Sequence, residues 1–547
     1  MILPRVKEIK YNNKYFNNNL VFPKSFDGEN AAKLLNLFLP NAKVLCDYDF
    51  NVVLNKLKFD KKGEYKLFIK ESQIVIDYCD YQGLRNAIAT LSGSYENGKL
   101  KCVEIYDYPT NDFRSCLLDL ARGYVEIGEL KEHLLRLAKL KFNYVHLHLM
   151  DRQSYILKSN VVPNPDNHKQ YTKEELKDIV DFCKLLSLQV IPEIEFPAHA
   201  VNLLKALPQL SCDIIDIDKA RKDVMDAPNP RKEFYIDKQK EVSSWVVCVG
   251  KESTYKIYED IIDEIVEIFD SEYIHIGGDE IEFKKLAAFP HWDNCYECKK
   301  LFEKYNGDIL SLYHHGIRRI NEIVKSKGKK TIKWNESTEC VHNVDLPTDI
   351  ILEYWLSDDP NSSQSHIDRF IEMGYKIINA QHQYTYVDLH EYLNAEKISD
   401  WAPFKNESQK AAIMGGEMCA WELGNKDYSY YDYTLPICTV LFSDRVWNSD
   451  VTEYNNDYVK SIFDAVVGNS LLKDNPLKFF KEIIPPRKLN ILDCLDVDSI
   501  SLNELLQTIL ELKNINSCYG KIALEKFIKY LEKLYREIST KRGLEYE

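Results

Sequence analysis

The sequence predicts an α/β protein built around a (β/α)8 TIM barrel, with a small α/β domain before it and a helical C-terminal region after it. Three observations carry this expectation. Eight strand-like segments, mostly alternating with helix-like ones, run between residues 113 and 450. Alternation of that length implies parallel strands, and eight repeats favour a closed barrel over an open sheet. Acids, histidines and tryptophans gather at the carboxyl ends of those strands, where such barrels carry their sites. A chain of 547 residues also exceeds one ordinary domain.

Residues 1–110 mix short strands ("EYKLFIK", "SQIVIDY") with a helical pattern ("GLRNAIATLSGSY"), and "YDYPTNDF" carries the turn signals of a boundary. The barrel is expected over 111–450. Its first strand is "RSCLLDLA", followed by the helix "EIGELKEHLLRLAKLK" and the strand "FNYVHLHLM". The helix "TKEELKDIVDFCKLLS" opens with a capping-box pattern, Thr172 and Glu175. Next come the strand "LQVIPEIEF", a long insertion, the helix "STYKIYEDIIDEIVEIFD" and the strand "YIHIGGDE". The helix "DILSLYHHGIRRINEIVKSKG" and four strands follow: "KTIKWNES", "DIILEYWL", "YKIINAQ" and "AAIMGGEMCAWEL". The helix "DYTLPICTVLFSDRVWNS" ends the series, and amphipathic runs across 451–547 predict helices packing on the barrel.

A formal net charge of −14 disfavours a nucleic-acid backbone as the main partner. No apolar run reaches the ~18 residues of a membrane span, and the first residues lack a leader-like apolar stretch. Fourteen irregularly spaced cysteines, several inside apolar runs (Cys116, Cys183, Cys419, Cys438), fit reduced thiols in the cytoplasm better than a disulfide framework. Cys295 and Cys298 form one CxxC, with no second pair in the sequence to complete a zinc site.

The stretch "YIHIGGDEIEF" sets two acids, Asp279 and Glu280, side by side after two glycines. Consecutive strand residues face opposite ways, so both acids serve one site only if the strand ends or bends at Gly277–Gly278. One carboxyl could then stay ionised while its neighbour, in drier surroundings, acts as a general acid. Acids at a helix start are the plainer reading of the same residues.

"HIGGDE" resembles the catalytic signature of glycoside hydrolase family 20, the β-N-acetylhexosaminidases. "RSCLLDLARGY", "FNYVHLHLMD", "IPEIEFPAHA" and "GGEMCAW" resemble that family's strand motifs in the family's order, and "GLRNAIATL" resembles a helix of its small domain. The resemblance covers roughly residues 60–450. It implies exo-acting hydrolysis of a terminal β-linked N-acetylhexosamine in a small oligosaccharide, by substrate-assisted retention through an oxazolinium, with no metal and no cofactor. Glu280 would be the acid and base, and Asp279 would hold the acetamido N–H. Arg114 would bind sugar hydroxyls, and Asp151 and His199 would form a relay to Glu280. Trp334, Trp355 and Trp421 would enclose the acetamido methyl. Tyr386 would hold its carbonyl, with Asp388 the next polar contact; Tyr384, two residues earlier, would share Tyr386's face on a strand. Glu422 would meet the outer hydroxyls, although here it follows Trp421 directly where the family has a spacer.

Two other classes compete. A metal-dependent amidohydrolase would use "HLH" (His146, His148) with His199 and His275 as zinc ligands. A sugar-binding barrel that had lost its chemistry would usually lack one of the two acids, and both are present.

Overall fold

The computed structural model describes residues 2–40, 42–96, 99–213, 246–281, 292–335, 345–356, 366–387, 395–425 and 435–449, with isolated positions between 502 and 540. Nearly all of the expected C-terminal helical region therefore lies outside the described residues, as does Asp388.

The amino-terminal part is a sheet whose long outer strand Glu8–Phe16 pairs antiparallel with Lys99–Asp107. Helices Phe26–Phe38 and Tyr81–Gly93 cover it, each started by a side chain that caps its first turn, Ser25 and Asp80. Buried charge joins this part to the barrel. The Arg85 guanidinium donates to the carbonyls of Ala138 and Phe142. Asp107 accepts from Lys141 at 2.7 Å and from the Trp447 indole at 2.9 Å.

Eight parallel strands close the barrel. They are β1 (Phe113–Asp119), β2 (Tyr144–His148), β3 (Gln189–Glu193), β4 (Tyr273–His275), β5 (Lys330–Trp334), β6 (Ile351–Tyr354), β7 (Ile377–Asn379) and β8 (Ile413–Ala420). β8 pairs with both β7 and β1, which completes the ring. The helix Lys173–Leu185 carries the expected capping box, with both reciprocal bonds formed between Thr172 and Glu175.

The interior is layered. At the amino ends of the strands Phe113, Ile191, Tyr273, Ile332, Ile351 and Ile378 form an apolar floor. Above it lies a charged layer of His146, Glu193, His275, Glu353 and Glu417, all buried. At the carboxyl ends Leu117, Trp334, Ala380 and Cys419 form a second apolar cluster, on which Trp355, Tyr386 and Trp421 pack while partly exposed.

Candidate active site

The acid pair sits where β4 stops being a strand. Regular pairing ends at His275, and then Gly277 (φ +65°), Gly278 (φ +99°) and Glu280 (φ +52°) take left-handed backbone. A Cβ on Gly277 would lie 1.9 Å from the Glu195 carboxyl, so at this positive φ a larger residue is strained and must displace that side chain. The turn brings both acids to one side. The His199 Nε2 lies 3.4 Å from Glu280 Oε2 and 3.7 Å from Asp279 Oδ2. Glu280 and His199 both hold positive φ, a costly conformation for residues with a Cβ and one that gathers at functional sites.

The two carboxyls differ in surroundings. The Glu280 side chain is 44% exposed, whereas that of Asp279 is 17% exposed. Burial, followed by the negative charges of Glu280 and Glu193, pushes Asp279 up to about 6 despite the opposing pull of His199. One buried oxygen of Asp279, Oδ1, has no hydrogen-bond partner among the described residues. A buried acceptor of this kind is costly unless something supplies a donor.

Behind His199 runs a chain of charge. Its Nδ1 is 3.3 Å from Asp151, which also meets Arg122 at 2.7 Å and His148 at 3.1 Å. Burial alone would make His199 harder to protonate. Asp151, Glu195 and Asp279 outweigh it and hold the ring well above the ordinary histidine range. Burial would likewise raise Asp151, but Arg122 and His199 hold it well below the carboxylate range.

Below this chain, Glu193 is the hub of the charged layer. It meets His148, His146 (3.2 Å) and His275 (2.8 Å), and accepts the Trp334 indole N–H at 2.7 Å. His146 also meets Glu417 at 2.8 Å. Burial favours a neutral Glu193, yet the three histidines overcome it and keep the group well below its ordinary range. Glu193→Gln would leave those rings without their shared carboxylate. It is expected to cost about 3–5 kcal/mol, the usual penalty for breaking a buried ion pair. The check is chemical denaturation: a loss under about 1 kcal/mol would mean that the hub is not held by charge.

Aromatic side chains cluster at the carboxyl ends of the strands. The Trp421 ring is 6.0 Å from Trp334 and 5.7 Å from Tyr386. Trp355 is pinned to Asn335 at both its backbone and its indole N–H. Tyr384 packs on the main core, whereas Tyr386 packs with Trp355 and Trp421 on the Trp334 cluster. Glu422 is at the same mouth, its backbone N–H on Asp119 at 2.8 Å.

Arg114 is a correction. It lies on the second residue of β1, at the opposite end of the barrel from the acids. It is fully buried, donates to the carbonyls of Lys141 and Asn111, and covers the Trp447 ring. The arginine at the mouth is Arg122, just past the end of β1. It is held by Asp119 at 3.0 Å and Asp151 at 2.7 Å, with its guanidinium 4.7 Å from the centre of the Trp421 ring. Arg122 stands in the same quoted motif as Arg114, and its position after the strand is the signal that separates them.

His146, Glu193 and His275 place ligand atoms within 4.8 Å of one another, but all three are buried. A catalytic zinc needs an open coordination position facing the substrate. His146, His148 and His275 are 0% exposed, inside the barrel and beneath the acids, and each is engaged by a carboxylate.

The family model for the catalytic domain of glycosyl hydrolase family 20 matches residues 111–449. A β-hexosaminidase of Porphyromonas gingivalis is 30% identical over 252 residues, covering 43% of this chain and 29% of that protein. One of Vibrio furnissii is 25% identical over 371 residues, covering 62% and 55%. The chain thus spans about a third to a half of these two relatives. The fold matches an exo β-N-acetylglucosaminidase from Vibrio harveyi solved with N-acetylglucosamine, with a TM-score of 0.70 at 19% identity, covering 89% of this chain and 78% of that one.

Proposed function

The chain belongs to glycosyl hydrolase family 20, and from that premise we propose that it removes terminal, non-reducing β-linked N-acetylhexosamine by substrate-assisted retention. The observation that carries this reading is the pairing of two unlike carboxyls. Glu280 is open to the solvent side, while Asp279 holds a buried oxygen with no hydrogen-bond partner among the described residues. A nucleophilic carboxylate of the ordinary retaining type would not sit on the adjacent residue, because two such groups flank the scissile bond. Adjacent acids suit a substrate that brings its own nucleophile.

In the first step the acetamido carbonyl oxygen attacks C1. The C1–O glycosidic bond breaks as Glu280 gives its proton to the departing oxygen, and an oxazolinium forms. Asp279 accepts the acetamido N–H and its charge offsets the developing cation. Tyr386 donates to the acetamido oxygen, and Trp334, Trp355 and Trp421 pack the methyl and the sugar's C–H face. In the second step Glu280 takes a proton from water, which attacks C1 and opens the ring with retained configuration. His199, through Asp151, sets the charge beside both acids. Arg122 offers sugar hydroxyls its donor fork, in the role expected of Arg114. Cys116, Cys183 and Cys419 are buried and form no disulfide among the described residues, which supports a reducing compartment such as the cytoplasm.

The test is a panel of nitrophenyl glycosides. Turnover is expected for β-N-acetylglucosaminide or its 4-epimer and should be lost for the plain β-glucoside. A β-glucoside cleaved as fast as the acetamido sugar would sink the neighbouring-group mechanism.

A further inference from the structure

Four buried thiols meet at one point beside the barrel mouth. Cys212 and Cys248 come from the two described ends of the β3–β4 connection, and Cys295 and Cys298 from the connection after β4. All are 0–3% exposed. Cys248 Sγ lies 3.4 Å from Cys298 and 3.7 Å from Cys295, and Cys212 lies 4.0 Å from Cys298. The four sulfurs all fall within 4.8 Å of one another.

We infer that Cys212, Cys248, Cys295 and Cys298 form a structural tetrathiolate site for one zinc ion. With a Zn–S bond of ~2.3 Å, the edge of a regular tetrahedron is about 3.8 Å, close to the three spacings above. A disulfide brings two sulfurs to ~2.0 Å and would leave no reason for four to converge. The second thiol pair is invisible in the sequence because its members stand 36 positions apart and belong to no CxxC.

The surrounding chain is organised to hold the cluster. Cys248 N–H donates to the Leu210 carbonyl at 2.8 Å, Tyr296 N–H to Asp213 at 3.1 Å, and the buried Trp292 indole to Val247 at 3.2 Å. A Cβ on Gly250 would lie 2.6 Å from the Cys298 nitrogen, so the two loops touch backbone to backbone. Zinc with four thiolates carries a net charge of −2, and positive groups stand near. Cys295 stands at the N-cap position of the helix Tyr296–Lys304 and Cys298 in its first turn, which puts both CxxC residues at its positive end. The Lys251 ammonium, beside Cys212, bridges the carbonyls of Gln209 and Ser211 and also pairs with Asp213 at 3.0 Å.

The site acts as a clip. One loop follows β3 and carries His199; Val247 N–H bonds to Pro197 at 2.9 Å within it. The other follows the acid pair. Zinc would fix the two loops that flank Asp279 and Glu280, without touching substrate.

The full chain, purified under reducing conditions without chelator, is expected to hold about one zinc per molecule by elemental analysis. Replacement by cobalt(II) should give the intense absorption of a tetrahedral thiolate site. Cys295→Ser with Cys298→Ser should lose the zinc and that spectrum, whereas Cys183→Ser, at a buried thiol elsewhere, should keep both. Should the double variant fail to fold, titrating the unmutated protein with a mercurial thiol reagent decides: zinc should leave in step with the modification of four thiols. The inference is overturned by clearly substoichiometric zinc after refolding with zinc chloride. Zinc and cobalt spectra unchanged in the folded double variant, disulfides among the four cysteines by mass spectrometry, or zinc release uncoupled from thiol modification would each overturn it as well.

Discussion

Glu280→Gln is expected to lower kcat/KM by roughly 10²–10⁴ for substrates with alkoxide leaving groups, the range of a lost general acid, and far less for nitrophenyl glycosides. The asymmetry follows from where Glu280 acts. A sugar leaving group needs a proton as the C1–O bond breaks, whereas nitrophenolate leaves nearly unaided. The same residue is also the base for the second step, which does not depend on the aglycone. With nitrophenyl substrates the oxazolinium would therefore form quickly and open slowly. The variant should show a burst, and kcat and KM should fall together while kcat/KM changes little. The exposure of the Glu280 side chain fits a group that an aglycone and then a water must reach. A loss of equal size across a series of aryl leaving groups would show that Glu280 is not the proton donor.

The acid pair was legible in the sequence because its oddity is local: two glycines and two like charges interrupt an apolar strand, and only a turned backbone explains them. Only the resemblance, and no local signal, assigned roles to the tryptophans and Tyr386, since a strand tryptophan is as readily core as pocket. Arg114 was misplaced for a directional reason. A strand rises ~3.3 Å per residue, so the second residue of β1 is on the order of 16 Å from its carboxyl end. The charged layer was hidden differently. His146, Glu193, His275, Glu353 and Glu417 come from different strands, and nothing local to any one of them says that closure will bury them together. Burial, with Glu417 and Glu193 beside it, lifts Glu353 well above the usual carboxylate range.

Asp279→Asn should lower kcat/KM by about 10²–10³, the loss typical of removing one preorganised electrostatic contact, and the loss should not depend on the leaving group. The oxazolinium is cationic whatever departs, so its counter-charge matters equally for sugars and phenols. The amide would also turn either an N–H2 group or a neutral oxygen toward the acetamido N–H. The pH profile separates this role from simple misfolding. Burial and the neighbouring acids put Asp279 at about 6. Above that pH the carboxylate is ionised and can hold the cation. As pH falls through it, the group takes a proton and kcat/KM should fall with slope one, since kcat/KM reports the free enzyme. Asn does not titrate, so the acidic limb near pH 6 should vanish from the residual activity of the variant. Removing the opposing positive charge with His199→Asn should instead move that limb to higher pH, because the Asp279 carboxylate would lose the cation 3.7 Å away. An acidic limb that persists unchanged in Asp279→Asn would assign it to another group, and Asp279 would lose its place as the ionised partner of the oxazolinium.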